Sequence, residues 1–354
     1  MLNLNRPRLW LISAIRKVSA IDTTQLRIED LFSHWHRLVP PRWQTQSRIL
    51  RTLLSAIALV FFLCLWSYRA PLPLEQPQDI LNYSSTLRLP HIPPRIWQIY
   101  LSFTPFAMTT YISHIHSWVA HSPSYSYTIL DAPGAVAIVS KLSSSPTRSH
   151  LLPLFHAMSR RVMRADFLRY LLLAIEGGVY SDIDTVLLKP VHEWVPEEFR
   201  NRTRLIVGLE ADQSPPVEGT TYEVQFCQWT LASAPGHPAM WEMVERILER
   251  VRNRPYKHPP EGTEYSDYEV LDITGPAGWT EIVFDHLSKA AGSPVTWHNL
   301  TGMREPKLYG DILVLPIDGF ASGVPHSGAS SGDEVVEGAL VKHQFSGAWK
   351  NGID

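Results

Sequence analysis

The stretch "GGVYSDIDTVLLKP", residues 177–190, decides how the chain is read. Two glycines interrupt an apolar run, a short β-prone segment follows, and Asp182 and Asp184 stand one residue apart at its end. In an extended segment residues i and i+2 point to the same side. The spacing therefore lets both carboxylates aim at one point beyond a strand end. Such a pair serves as metal ligands, as a nucleophile pair, or as an acidic turn with no chemistry. A bare Asp-x-Asp is common by chance, so the surrounding residues must decide.

Upstream, "VMRADFLRYLLLAIEGG" (162–178) places Val162, Ala165, Leu168, Leu172 and Ile175 at spacings of three and four. That is a helix with one apolar stripe, stopped by Gly177-Gly178. Asp166 and Arg169 lie at i and i+3 on a face leading to the acidic turn. A carboxylate there grips sugar hydroxyls while a guanidinium grips phosphate; an ordinary surface salt bridge is the plainer alternative. Outward from this core, "RIWQIYL", "YSYTILD" (125–131), "RLIVGLE", "QFCQWTLASA" and "DILVLP" read as strands. Residues 107–120, 133–142, 238–253 and 277–291 read as helices, with a loop rich in Ser, Thr and Pro after 142. Strands alternating with helices predict an α/β body with a mostly parallel sheet.

The 354 residues, 45% of them hydrophobic and 19% charged, are globular values, and a net charge of −2 offers a nucleic-acid partner no electrostatic attraction. One segment breaks the average. "TLLSAIALVFFLCLWSY" (52–68) carries no charge and would span about 25 Å as a helix, the short end for a bilayer crossing. Arg48, Arg51 and Arg69 bracket it, and Trp66 and Tyr68 sit where an interfacial aromatic belt falls; a buried core helix is the alternative. Residues 1–51 hold nine Lys or Arg against three acids, which keeps them cytosolic and sends the rest across. The expected layout is a cytosolic segment 1–51, a transmembrane signal anchor 52–68, a Pro-rich stem 69–90 and a lumenal body 91–354. A short, aromatic-rich span suits the thinner membranes of the early secretory pathway. Asn82, Asn201 and Asn299 each open a glycosylation triplet on the lumenal side. Of the two cysteines, Cys64 lies in the span, so no disulfide is expected within the body.

The longer run "RADFLRYLLLAIEGGVYSDIDTVLLKP" (164–190) resembles glycosyltransferase family 32, whose pattern is Arg-x-Asp, helix, Gly-Gly-x-Tyr, Asp-x-Asp. Within that family it is most similar to the fungal Golgi initiation-specific α-1,6-mannosyltransferase group. "IPPRIWQIY" (92–100), "FCQWTLASAPGHP" (226–238), "TGPAGWT" (274–280), "LPIDGFASG" (315–323) and "VKHQFSGAWK" (341–350) follow in the group's order. The likeness covers residues 90–350. "DIDTV" also matches the nucleophile loop of haloacid-dehalogenase-type phosphatases. Those need an unbroken apolar run before the first Asp, a later lysine and a further acidic pair; here Gly177-Gly178 breaks the run, and no convincing acidic partner follows "YGDIL".

The resemblance implies a GT-A fold, a nucleotide-binding α/β/α sandwich, preceded by the N-terminal anchor in a type II Golgi membrane protein. It implies that Asp182 and Asp184 hold Mn²⁺ on the donor diphosphate, Asp184 more directly, with His343 as a further ligand. Ser346 and Trp349 would close over the diphosphate, and Asp166 and Arg169 would hold the donor sugar and its phosphate. Tyr100, where the family often has Trp, would stack on the nucleobase; Gln344 stands where relatives often carry a second His. Read without the family, His343 and Trp349 are equally core residues and Ser346 a turn hydroxyl. The implied donor is GDP-mannose, the acceptor an N-linked glycan, with retention of configuration and Golgi mannosyltransferase complex subunits as partners. No side chain stands out as a covalent nucleophile, which favours front-face attack by the acceptor hydroxyl, with the departing phosphate taking its proton. Two rivals remain. Family members that mannosylate inositol-phosphoceramide usually carry spans after the catalytic body, whereas this sequence ends at Asp354, which favours a glycan acceptor. A catalytically silent scaffold would be expected to lose the metal motif, and both aspartates remain. Residues 211–222 and 254–268, placed as acceptor loops, carry no legible motif.

Overall fold

The computed structural model describes residues 91–101, 105–254, 264–324, 327–330 and 336–346. The expected span 52–68, the stem, Asn82, Cys64 and Trp349 lie outside them. Among the described residues no helix is long and apolar enough to cross a membrane.

In chain order the elements are β1 (Arg95–Ile99), a 3-10 turn (Pro105–Tyr111) running into α1 (Ile112–His121), β2 (Ser126–Leu130), α2 (Ala132–Ser143), α3 (Leu151–Ala157) and α4 (Arg161–Ile175). Then come β3 (Gly178–Ser181), β4 (Thr185–Leu187), β5 (Leu205–Asp212), β6 (Val224–Phe226), β7 (Thr230–Ser233) and α5 (Pro238–Asn253). The series closes with α6 (Asp267–Ile273), α7 (Pro276–Ala291), β8 (Lys307–Tyr309), β9 (Ile312–Leu315), α8 (Ile317–Ala321) and β10 (Val341–His343). Local chemistry sets several boundaries. The Asp131 carboxylate accepts from the Gly134 N–H at 2.8 Å and caps α2. Ser266 and Glu269 form a reciprocal capping box on α6, and α7 opens at Pro276 and stops at Gly292 in the left-handed region.

The main sheet runs β2-β1-β3-β7-β5-β9-β8 with β6 against β5, and β4 pairs with β10 in a separate ribbon. It is mixed rather than mostly parallel. β1 is parallel to β2 and β3, and β5 to β9, but β7 is antiparallel to both β3 and β5. The cause lies in "QFCQWTLASA", which is not one strand. It breaks at Cys227–Trp229, but both pieces run antiparallel to β5, β6 along its carboxyl half and β7 onward between β3 and β5, and that reversed course makes the sheet mixed. The α3 helix and the β10 strand form where no element was expected.

Helix α4 also differs from its reading as a one-stripe helix. Every residue from Asp166 to Ala174 is buried, because the helix is enclosed between the sheet and α5. Its stop is set by the glycines. Gly177 has φ 64°, and a Cβ there would lie 2.6 Å from Pro235 Cδ; at Gly178, with φ 106°, it would lie 2.7 Å from the Arg95 carbonyl. The Gly177 carbonyl also accepts from the Trp97 indole at 2.9 Å. Gly177→Ala therefore combines a left-handed backbone with a clash against another chain segment. It is expected to destabilise by about 2 kcal/mol or more, read as a shift of the urea midpoint at unchanged slope.

Candidate active site

The acidic pair sits at the carboxyl end of β3, and it forms a turn rather than the extended i, i+2 arrangement expected. The Asp182 N–H donates to the Trp229 carbonyl at 2.8 Å, and its own carbonyl accepts from Gln98 Nε2 at 2.9 Å and from Thr185 Oγ1 at 2.6 Å. Ser181 Oγ lies 2.8 Å from both Thr185 Oγ1 and Thr230 Oγ1, and the buried Trp118 indole donates to the Thr185 carbonyl at 3.1 Å. These bonds satisfy the buried polar groups of the bend and turn the chain from β3 into β4. The two carboxylates consequently face different neighbours.

Asp182 faces the Asp166–Arg169 pair. Arg169 Nη2 lies 3.2 Å from Asp182 Oδ1 and 2.8 Å from Asp166 Oδ1, while its Nη1 donates to the Gln228 carbonyl at 3.0 Å. The Tyr180 hydroxyl also donates to Asp182, and the guanidinium stands 4.8 Å over the Tyr180 ring. The Asp166–Arg169 pair is no surface salt bridge: their side chains are 1% and 5% exposed. Thr274 Oγ1 donates to Asp166 Oδ2 at 2.8 Å, and Gln228 Nε2 approaches Oδ1 at 3.4 Å. Burial raises Asp166 to about 6 against the pull of Arg169. Burial raises Asp182 too, again with Arg169 opposing, and Asp184 adds to the rise. Burial works against the Arg169 charge, but Asp182, Tyr180 and Asp166 hold it firmly protonated. A buried carboxylate, Asp166, and a part-exposed one, Asp182, share one guanidinium, so the cluster carries surplus negative charge that a cation offsets.

Asp184 faces the last strand. His343 Nε2 lies 3.1 Å from Oδ1, and Oδ2 accepts from the Ser346 N–H at 3.0 Å and Ser346 Oγ at 2.8 Å. Burial pushes this carboxyl up, but the His343 and Ser346 hydrogen bonds outweigh it and hold it well below the usual carboxylate range. The Gln344 N–H donates to the Asp184 carbonyl at 3.0 Å, and Phe345 takes φ 48° to bring Ser346 round. A bulky residue in the left-handed region is a local strain that concentrates at functional sites. The Trp229 indole stacks on His343 at 4.8 Å and is fixed by donating to the Phe320 carbonyl at 3.0 Å.

Ligand atoms of Asp182, Asp184 and His343 lie within 4.8 Å of one another. Two oxygens and an imidazole nitrogen suit a hard or borderline divalent cation. Two polar atoms at the cluster, Arg169 Nε and His343 Nδ1, are buried without a hydrogen-bond partner. The residues present thus fit a bound cation and an anionic ligand.

Asp166, Arg169, Asp182, Asp184, His343 and Ser346 are therefore brought together. Tyr100 is not joined to them by any hydrogen bond; it follows β1, and its ring meets Tyr111 edge-on at 5.9 Å. Asn201 and Asn299 are exposed. Cys227 is buried and free. Sequence reasoning missed Gln98, Tyr180, Gln228, Trp229 and Thr274. Three of these stand in "FCQWTLASAPGHP" and "TGPAGWT", the ordered motifs to which no role was attached. It also missed Glu210, at the end of "RLIVGLE", whose carboxyl burial raises to about 7.

A family model described as "Glycosyltransferase sugar-binding region containing DXD motif" matches residues 110–200, the segment bearing Asp166, Arg169, Asp182 and Asp184. The chain is 40% identical over 263 residues to the initiation-specific alpha-1,6-mannosyltransferase of Schizosaccharomyces pombe, covering 73% of this chain and 64% of that protein. It is 32% identical over 262 residues to the protein of the same name from Candida albicans, covering 68% of this chain and 67% of the other. The solved PaToxG glycosyltransferase aligns over 57% of this chain and 72% of its own, at 18% identity and a TM-score of 0.39. The chain belongs to the family of glycosyltransferases with a DXD-containing sugar-binding region, and its body is mixed α/β. It spans about two thirds of the length of the mannosyltransferases it matches.

Proposed function

We propose that the chain is a metal-dependent, retaining mannosyltransferase that transfers mannose from GDP-mannose to an N-linked glycan through an α-1,6 bond. The observation that carries this reading is the convergence of Asp182, Asp184 and His343 beside the buried Asp166–Arg169 pair. The names of the two mannosyltransferase relatives support the sugar and the linkage. Asp182, Asp184 and His343 would hold Mn²⁺, which supplies a Lewis acid for the charge that develops on the leaving diphosphate. Arg169, locked by Asp166 and Asp182, presents a fixed positive charge to the same diphosphate and needs no reorganisation as that charge grows. Asp166, backed by Thr274 and Gln228, holds the guanidinium in place and meets donor sugar hydroxyls. Ser346 closes over the diphosphate, a role Trp349 would share, and the Tyr100 ring stacks on the base. The acceptor hydroxyl attacks from the front face and gives its proton to the departing phosphate. We place the protein in the Golgi membrane as a single-pass type II chain anchored by residues 52–68, alongside other mannosyltransferase subunits.

The test is GDP release by the purified full-length chain with GDP-mannose and a high-mannose N-glycan. Release is expected to need both Mn²⁺ and the glycan. Slow release that ignores the glycan would point to another acceptor, such as an inositol-phosphoceramide lipid. No release and no Mn²⁺-dependent GDP binding by folded protein would leave a silent scaffold.

A further inference from the structure

In the strand order β3-β7-β5, the carboxyl end of β5 lies two strands from the acidic turn, on the side away from β1. At a strand spacing of about 4.8 Å this is roughly 10 Å, near enough to border the same cleft. There β5 slips register against β6. Leu209 opposes Phe226 while Ala211 opposes Gln225, so Glu210 is the extra residue of a β-bulge. Bulges re-aim a side chain and concentrate beside active sites.

The surroundings direct this side chain. Gly208, two residues earlier on the same face, admits the Phe320 ring so closely that a Cβ would lie 2.5 Å from it. Phe320 in turn fixes Trp229, on which His343 stacks. Glu210 therefore emerges next to the wall that carries the metal-site histidine, within electrostatic reach of it. Its Oε2 accepts from Gln225 Nε2 at 2.9 Å, and Gln225, 1% exposed, is itself anchored by the Thr221 N–H at 2.9 Å. Among the described residues neither a cation nor a second hydrogen-bond donor meets Glu210, which leaves its other oxygen free of them. A half-buried carboxylate held at one oxygen and left without a cation does nothing for folding. In its ionised form the free oxygen is an acceptor placed for a hydroxyl donor.

We propose that Glu210 is an acceptor-binding residue, whose free oxygen takes a hydrogen bond from a hydroxyl of the acceptor sugar, and that Gln225 is the residue that positions it. The assignment rests on the glycosyl-transfer reading above. The donor side is disfavoured by charge and by place. A carboxylate with no metal to bridge it repels a diphosphate, and the groups expected to hold the donor sugar and base, Asp166, Arg169 and Tyr100, lie on α4 and after β1, across β7 from Glu210, leaving only the metal-site wall of His343 on its side.

The experiment compares full-length wild type with Glu210→Gln, and with Glu210→Asp in case the amide perturbs the bulge. Binding of a high-mannose oligosaccharide is titrated in the presence of Mn²⁺ and GDP, a readout that needs no turnover. The expected result is weakening of glycan binding by roughly tenfold in the variants, the loss of one charge-assisted hydrogen bond. Mn²⁺-dependent GDP binding and the KM for GDP-mannose should stay within about twofold of wild type, and glycan-free hydrolysis of the donor should be unchanged. Glycan binding equal to wild type in both variants overturns the proposal. So does a wild type that binds no glycan, or a loss appearing equally in donor hydrolysis, which would move Glu210 to the donor sugar. A wild type that binds glycan yet turns over no nucleotide sugar overturns the transfer reading and leaves the binding comparison to decide Glu210.

Discussion

Asp184→Asn should lower Mn²⁺-dependent turnover on the order of 10³-fold, the equivalent of about 4 kcal/mol of transition-state stabilisation, and Mn²⁺ titration should show the site gone. The amide keeps the shape of the side chain, so the effect isolates its charge and its acceptor capacity. Both Asp184 oxygens are engaged: Oδ1 by His343, Oδ2 by the N–H and the hydroxyl of Ser346. An asparagine offers one acceptor and one donor. Its NH₂ must then face either the imidazole N–H or the two Ser346 donors, and one side of the carboxylate clamp is lost. The β10 end, bent by the left-handed Phe345, is tied to the acidic turn by these bonds and by the Gln344 N–H on the Asp184 carbonyl. A second effect is therefore expected, faster amide hydrogen exchange over residues 341–346. Asp182→Asn provides the contrast. Its partners are Arg169 and Tyr180, so metal binding should fall while exchange at 341–346 stays as in wild type. Wild-type Mn²⁺ dependence in Asp184→Asn would remove this residue from the metal site altogether.

The contrast between the two aspartates also marks how far the sequence could be read. That the two lie at one site was legible, although they meet through a turn at Ile183 and not through the extended i, i+2 geometry, and the glycine stop was legible because Gly177 and Gly178 need positive φ. Helix 238–253 and the first strand were legible because apolar periodicity and a helix-opening Pro are local signals. The different neighbours of Asp182 and Asp184 were not. A turn at Ile183 is closed by Gln98, Thr185 and Trp229, residues that only tertiary packing brings together. Strand direction failed for the same reason, since residues 224–233 show their antiparallel course only once β5 and β3 are there to pair with. Gln228 and Thr274 were in view as parts of motifs, yet their meeting with Asp166 spans 62 and 108 residues of chain. Glu210 had a local signal that went unread, an acid closing an otherwise apolar strand.

Arg169→Ala should be the most destabilising single change at the site, by about 3–5 kcal/mol, because it leaves buried carboxylates without their cation. For a body of this size that is a fall in Tm of roughly 10 °C. Three lines of contact end at this guanidinium: Asp166 at 2.8 Å, Asp182 at 3.2 Å and the Gln228 carbonyl at 3.0 Å. Arg169→Lys keeps the charge, but a single ammonium cannot reproduce the fork that reaches all three. It should recover part of the stability while turnover stays down roughly 100-fold, the loss of a preorganised charge at the diphosphate. Acidity separates charge from packing. Burial already raises the folded-state values of both carboxyls, Asp166 to about 6, and loss of Arg169 raises them further. The unfolded values stay near about 4. For a raised group, stability is fully present below the unfolded pKa and is lost as pH rises through the folded one. Acidifying Arg169→Ala from about pH 7 to about pH 5 should therefore return part of the lost Tm relative to wild type. A deficit equal at both pH values would mean that the arginine is held there for its packing, and that the two carboxylates are not the charges it balances.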